Sequence, residues 1–121
     1  MYNNFYKFIP ESVLSIDFTG RIIDASQKSL EVLGFESVPE LIGNKLKDFF
    51  ELKDQKVVLK MINDTIETNE VSSNSLNLIK HNGEVINLEV IIGMMYDNAS
   101  QKEALIVVLH DGEIHEMGDH Q

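Results

Sequence analysis

The side chains able to do chemistry in this 121-residue chain are four histidines and twenty carboxylates; cysteine is absent. Without a thiol there can be no disulfide, thiolate nucleophile, iron–sulfur cluster or cysteine-linked chromophore, which agrees with a reducing compartment. Metal-type ligands are densest at the C-terminus, in His110, His115, Glu116, Asp119 and His120. They lack the helical spacing that would aim them at one ion, so this stretch reads as a solvated tail and no metal is expected. Asp17, Glu89 and Asp97 fall on strand positions that alternation turns outward or toward polar partners, where a solvated face is expected in place of an acid–base pair. No Gly-x-Ser-x-Gly elbow, Gly-x-x-x-x-Gly-Lys loop or Gly-x-Gly-x-x-Gly fingerprint occurs. The spacing Gly34 to Gly43 contains Pro39 and reads as helix punctuation. These residues point away from an enzyme, and no catalytic residue is expected.

Charge narrows the partners. Twenty acidic against ten basic residues leave a net charge of -10, so contact with phosphate would work against the protein's own field. Neither nucleic acid nor a membrane surface is expected. The longest apolar runs, residues 90–96 and 104–109, fall far short of the ~18 residues of a membrane helix, and the N-terminus MYNNFYKFIP lacks a basic start. A cytoplasmic location is expected. With 43% hydrophobic residues, the chain has enough apolar surface for one cooperative core.

The elements that must position these side chains follow from periodicity. Residues 12–18 alternate, with Leu14, Ile16 and Phe18 on one side and Ser15 and Asp17 on the other; Thr19-Gly20 supplies a turn into a second strand beginning at Ile22 and Ile23. Ser26 then caps a helix carrying Leu30 and Leu33, which Gly34 ends. Pro39 opens a short helix and Gly43 closes it. A further turn holds Leu46, Phe49 and Phe50, and Asp54 is expected to cap a longer helix with Val58, Met61, Ile62 and Ile66 in one stripe, ending near Asn69. From Val71 onward the period is two. Asn82-Gly83 marks a hairpin, after which Ile86, Leu88, Val90, Ile92 and Met94 share a face. The last strand, residues 104–110, is apolar on both sides and suits the middle of a sheet. The order predicts an α+β domain, an antiparallel sheet of five strands with short helices packed on one face.

The segments PESVLSIDFTGRIIDASQKSLEVLGFESVPELIGNKLKDFF, LNLIKHNGEVINLEVIIGMMYD and ALIVVLHD together resemble a PAS domain over residues 10–111. The order of signals carries the resemblance: the turn at Gly20, Gly34-Phe35 after the first helix, Glu40-Leu41-Ile42-Gly43, then the hairpin at Asn82-Gly83. Residues 1–9 are read as an N-terminal helical cap and residues 112–121 as a polar tail. Ser26 stands where the family most often has asparagine, so it keeps the capping role and is a candidate switch. Asp111 is followed by Gly112 and Glu113, where the family continues Asp-Ile-Thr into an output helix.

The resemblance implies a sensory and interaction module of a signal-transduction protein, regulating an output domain or partner protein. A small apolar or amphipathic ligand is expected between Leu33, Phe49, Val58, Met61 and Ile62 on the helices and Leu78, Leu88, Val90 and Met94 on the sheet. The alternative is a ligand-free dimerisation scaffold with a filled core. Photosensors of the family use an adduct-forming cysteine and haem sensors a histidine on the long helix; this chain has neither, so neither flavin nor haem is expected. On the far face of the sheet Val85 and Ile91 lie among Asn87 and Glu89. Tyr2, Phe5, Tyr6 and Ile9 recur at i, i+3, i+4 and i+7, one apolar stripe of a helix too short to stand alone. A homodimer joined through residues 2–9 and the outer sheet face is expected.

Overall fold

A computed structural model of the chain describes residues 11–97 and 102–111. β1 (Val13–Ile16) and β2 (Ile22–Ala25) form a hairpin. Its turn is organised by Asp17, whose carboxylate accepts hydrogen bonds from the Thr19 and Arg21 N–H groups and the Thr19 hydroxyl. Gly20 takes the left-handed φ of 90° that the turn requires. α1 (Gln27–Leu33) starts at Ser26, whose side chain accepts from the Ser29 N–H, and stops at Gly34, with φ 84°. Pro39 lies in the first turn of α2 (Val38–Leu41), where its missing donor costs nothing. A 3-10 turn, Leu46–Phe49, leads into α3 (Leu52–Thr68), which Asn69 ends in the left-handed conformation. β3 (Ser72–Ile79), β4 (Val85–Asp97) and β5 (Lys102–His110) complete an antiparallel sheet of order β2-β1-β5-β4-β3. The α+β expectation is met, with β5 at the centre of the sheet.

Three local expectations need correction. Asp54 does not cap α3: Glu51 occupies that position, and the Asp54 carboxylate accepts the Asn77 N–H at 2.9 Å, tying the helix to β3. β1 ends at Ile16, so Phe18 and Asp17 belong to the turn, and Phe18 is 37% exposed. Ser15, on the side read as polar, is fully buried.

The inner face of the sheet and the helices enclose one aliphatic cluster. Leu14, Ile16, Leu78, Leu88, Ile92 and Leu105 meet Leu33, Leu41, Leu46, Phe50 and Val58 there, all of them buried. Burying each such side chain stabilises the fold by about 1.5–3 kcal/mol before entropy is counted.

Candidate functional site

The nine residues expected to line a pocket are brought together. Leu33 comes from α1, Phe49 from the 3-10 turn, Val58, Met61 and Ile62 from one face of α3, Leu78 from β3, and Leu88 and Val90 from β4. These eight are 0–9% exposed, and Met94, half-buried, packs against them. Helical spacing on α3 and alternation on the strands explain why residues so far apart in sequence share this space. Leu41, Leu46 and Phe50 belong to the same cluster although the sequence places them only in a short helix and a turn and not in the expected pocket.

On one side this cluster adjoins solvent through a cleft of about 70 Å³ between the β1–β2 turn, the residues around the 3-10 turn, and α3. It is lined by Thr19, Gly20, Lys45, Lys47, Leu59 and Ile62. Ile62 belongs to both the core cluster and the cleft, and its Cδ1 lies 3.6 Å from the position a Cβ on Gly20 would take. The cleft's lining is mainly apolar and includes Lys45 and Lys47, and the Lys47 Nζ pairs with Asp48 at 3.0 Å. Ile62 is legible from the helical stripe, but only tertiary structure brings Thr19, Gly20, Lys45, Lys47 and Leu59 to it, so no sequence signal could have found those five.

Ser26 sits in a buried cluster of hydroxyls with Ser12 and Ser29. Its Oγ donates to the Glu11 carbonyl at 2.7 Å and accepts from the Val13 and Ser29 N–H groups at 3.0 and 3.3 Å. Ser29 Oγ donates to the Val13 carbonyl at 2.9 Å, and Ser12 Oγ lies 3.2 Å from it. One proton and two lone pairs are all that a hydroxyl offers, and Ser26 spends them on the chain itself. The group fastens the start of α1 to the start of β1. The Ser26-x-x-Ser29 spacing could have announced it as a relative of the capping box.

The opposite, outer face of the sheet is mixed. Val13, Val108, Ile91 and Ser73 stand in register across four strands, and Val85 is 47% exposed. Ser15 pairs with Asp24 on this face. Ser15 Oγ is buried without a hydrogen-bond partner among the described residues, and burial pushes the Asp24 carboxyl above its ordinary value despite the Ala25 N–H it accepts. Glu89 is exposed here, whereas the Asp97 side chain and residues Tyr2, Phe5, Tyr6, Ile9, His115, Glu116, Asp119 and His120 lie outside what is described. His81, at the tip of the β3–β4 hairpin, stacks on Phe35 with ring centroids 4.5 Å apart. Its N–H bonds the Leu33 carbonyl at 2.8 Å, docking the hairpin on the end of α1. Among the described residues no group of three or more metal-type ligands converges, and no helix is long and apolar enough to cross a membrane.

Comparison with known proteins agrees with this architecture. A profile of the PAS domain matches residues 10–111. No curated protein matches the chain. Among solved structures, the PAS domain of an HTR-like protein from Haloarcula marismortui is 16% identical, with a TM-score of 0.72 over 88% of this chain and 84% of that one. A PAS domain from Colwellia psychrerythraea is also 16% identical, with a TM-score of 0.76 over 89% and 91%. A PAS domain from a two-component sensor histidine kinase is 11% identical, with a TM-score of 0.71 over 89% and 90%. At such identities the structural likeness speaks for the fold alone. PAS domains are sensory or interaction modules of signalling proteins and commonly act on output or partner domains. Five antiparallel strands, the short helices laid over their inner face and a profile match across residues 10–111 place this chain in the PAS domain family.

Proposed function

We propose that the chain is the input module of a cytoplasmic signal-transduction protein, sensing a small apolar or amphipathic ligand between sheet and helices and regulating a partner domain. The observation that carries this reading is the cleft at Ile62: this side chain belongs both to the aliphatic interior and to the lining of a solvent-facing notch of about 70 Å³. A notch of that size has room for a few waters or one end of a small ligand. Fuller occupancy displaces Ile62, and where its side chain cannot turn away the strain falls on α3, which would give binding a mechanical consequence. Native mass spectrometry of gently purified protein tests it: a retained small molecule is expected.

A specific observation favours the second reading, a scaffold with a filled core: eight of the nine lining residues are 0–9% exposed. Persistently empty protein that no ligand stabilises would decide for the scaffold.

Both readings include a homodimer built on the outer face, where Val85 and Ile91 supply apolar surface, with Tyr2, Phe5, Tyr6 and Ile9 as its cover. Sedimentation of the intact chain should show a dimer at tens of micromolar, and removal of residues 1–9 should dissociate it; a monomeric intact chain would refute this assembly. Neither haem nor flavin belongs to the proposed mechanism, so the purified protein should be colourless, and a stoichiometric Soret or flavin band would contradict that.

A further inference from the structure

The two edges of the sheet are treated differently. At β2 the connection after α2 covers the edge: the Ile22 N–H bonds the Asn44 carbonyl, the Gly43 N–H bonds the Ile22 carbonyl, and Arg21 bridges Lys45. At β3 the cover stops halfway. The Asn77 carbonyl accepts the Glu51 N–H and the Asn77 N–H goes to Asp54, while Phe50 bridges Leu78. In an antiparallel strand every second residue turns both its N–H and its C=O to the same side. Since the Asn77 backbone groups face away from β4, so do those of Ser75 and Ser73, and among the described residues none of these outward groups of Ser73 and Ser75 is bonded.

Natural edges are usually guarded by lysine, proline, a bulge or an inward charge. This one carries Ser73, Asn74 and Ser75, all exposed, with unbroken register to β4. Its surroundings are acidic. Glu89 reaches Ser73 Oγ at 2.7 Å, Glu51 and Asp54 stand at Asn77, and exposed Glu70 precedes the strand. Lys60 pairs with Asp64 and Lys80 with Glu84, while Lys53 and Lys56 adjoin Glu51 and Asp54 in sequence at the capped half of the strand, so the open half keeps Glu89 and Glu70 as its nearest charges.

We propose that the open half of β3 is a docking edge for an extended cationic peptide segment of a partner protein, which adds a sixth strand against Ser73 and Ser75. Four backbone groups supply the affinity and the carboxylates select the charge. Alternate side chains of the added strand fall on the outer face beside Glu89, which is where its lysines belong. The proposal does not depend on whether the core holds a ligand.

The test uses an N-acetylated hexapeptide of alternating lysine and valine, titrated into the intact chain and followed by amide hydrogen exchange. The Ser73 and Ser75 amides should gain protection, and added salt should weaken binding. Ser75→Pro removes an N–H that faces away from β4, so the sheet should survive while binding falls about tenfold. As a check on the unaltered protein, a peptide N-methylated at its lysines should lose binding, whereas one methylated at its valines should keep it. Protection gained elsewhere, or equal binding by both methylated peptides, would overturn the proposal. So would Ser73 and Ser75 amides already protected in a concentration-dependent way without peptide, which would make a second copy the occupant.

Discussion

The two faces of one sheet behave as different materials. On the inner face Leu78, Leu88, Val90, Ile92, Leu105 and Val107 are 0–2% exposed, each pressed against helix or neighbouring strand. On the outer face the same strands carry Val85 at 47% exposure, half-buried Ile91 and Val108, and a polar ladder in which Ser75 donates to Asn87 and Asn87 to Asn77. Strand propensity is similar on both sides, since the residues alternate along one backbone. The difference lies in what covers them: the inner face is saturated by its own helices, while the outer face is buried at Val13 and Ser15 of β1 but along β3 and β4 keeps apolar surface among polar groups, the composition of a surface that also binds.

Truncating an inner residue should be the costliest change. Leu78→Ala should lower stability by about 3 kcal/mol in urea unfolding, the transfer loss plus the cavity left under α3. Ser26→Ala, at the corner joining α1 to β1, removes one cap and two further bonds and should cost about 1–2 kcal/mol. Val85→Ala on the outer face should change the monomer's stability by less than about 0.5 kcal/mol.

The acid–base behaviour of the outer side sharpens the contrast. Burial raises the Asp24 carboxyl, so the folded state holds this proton more tightly than the unfolded chain. Its contribution is therefore favourable at low pH and is lost as pH rises above the ordinary 3.8. Asp24→Asn should be more stable than the parent at pH 7, with the gap closing toward pH 4, as thermal melts across that range will show. Asp17 runs the other way: its slight burial is outweighed by the Thr19 hydroxyl, the Arg21 and Thr19 N–H groups and the Arg21 charge, so its carboxyl is lowered. Asp17→Asn should be slightly less stable at pH 7, with the deficit vanishing as pH falls below 3.8.

Much of this was legible in the sequence where a period repeats. Alternation from Ile86 to Met94 and the Val58, Met61, Ile62 stripe identified the two walls of the interior, and Ser26, Gly34 and Asn82-Gly83 marked ends and turns by the conformations they favour. What stayed hidden depends on contacts made after folding. Asp54 has the side chain of a helix cap, yet a backbone N–H of β3 claims it. Ser15 alternates as a polar residue should, yet it is buried on the face opposite the core. The cleft joins six residues from three regions, and the open edge at Ser73 and Ser75 is visible only once strand order is known.

The sensing reading meets its most direct test in thermal unfolding of the intact chain against a panel of small amphipathic carboxylic acids and neutral apolar compounds, read beside the native mass spectrum. A ligand that raises Tm in proportion to its concentration, appears in the native mass, and loses both effects when Ile62→Phe fills the wall between cleft and core is the expected result. A chain of apo mass in every preparation, with no compound shifting Tm, would contradict sensing and leave the filled scaffold.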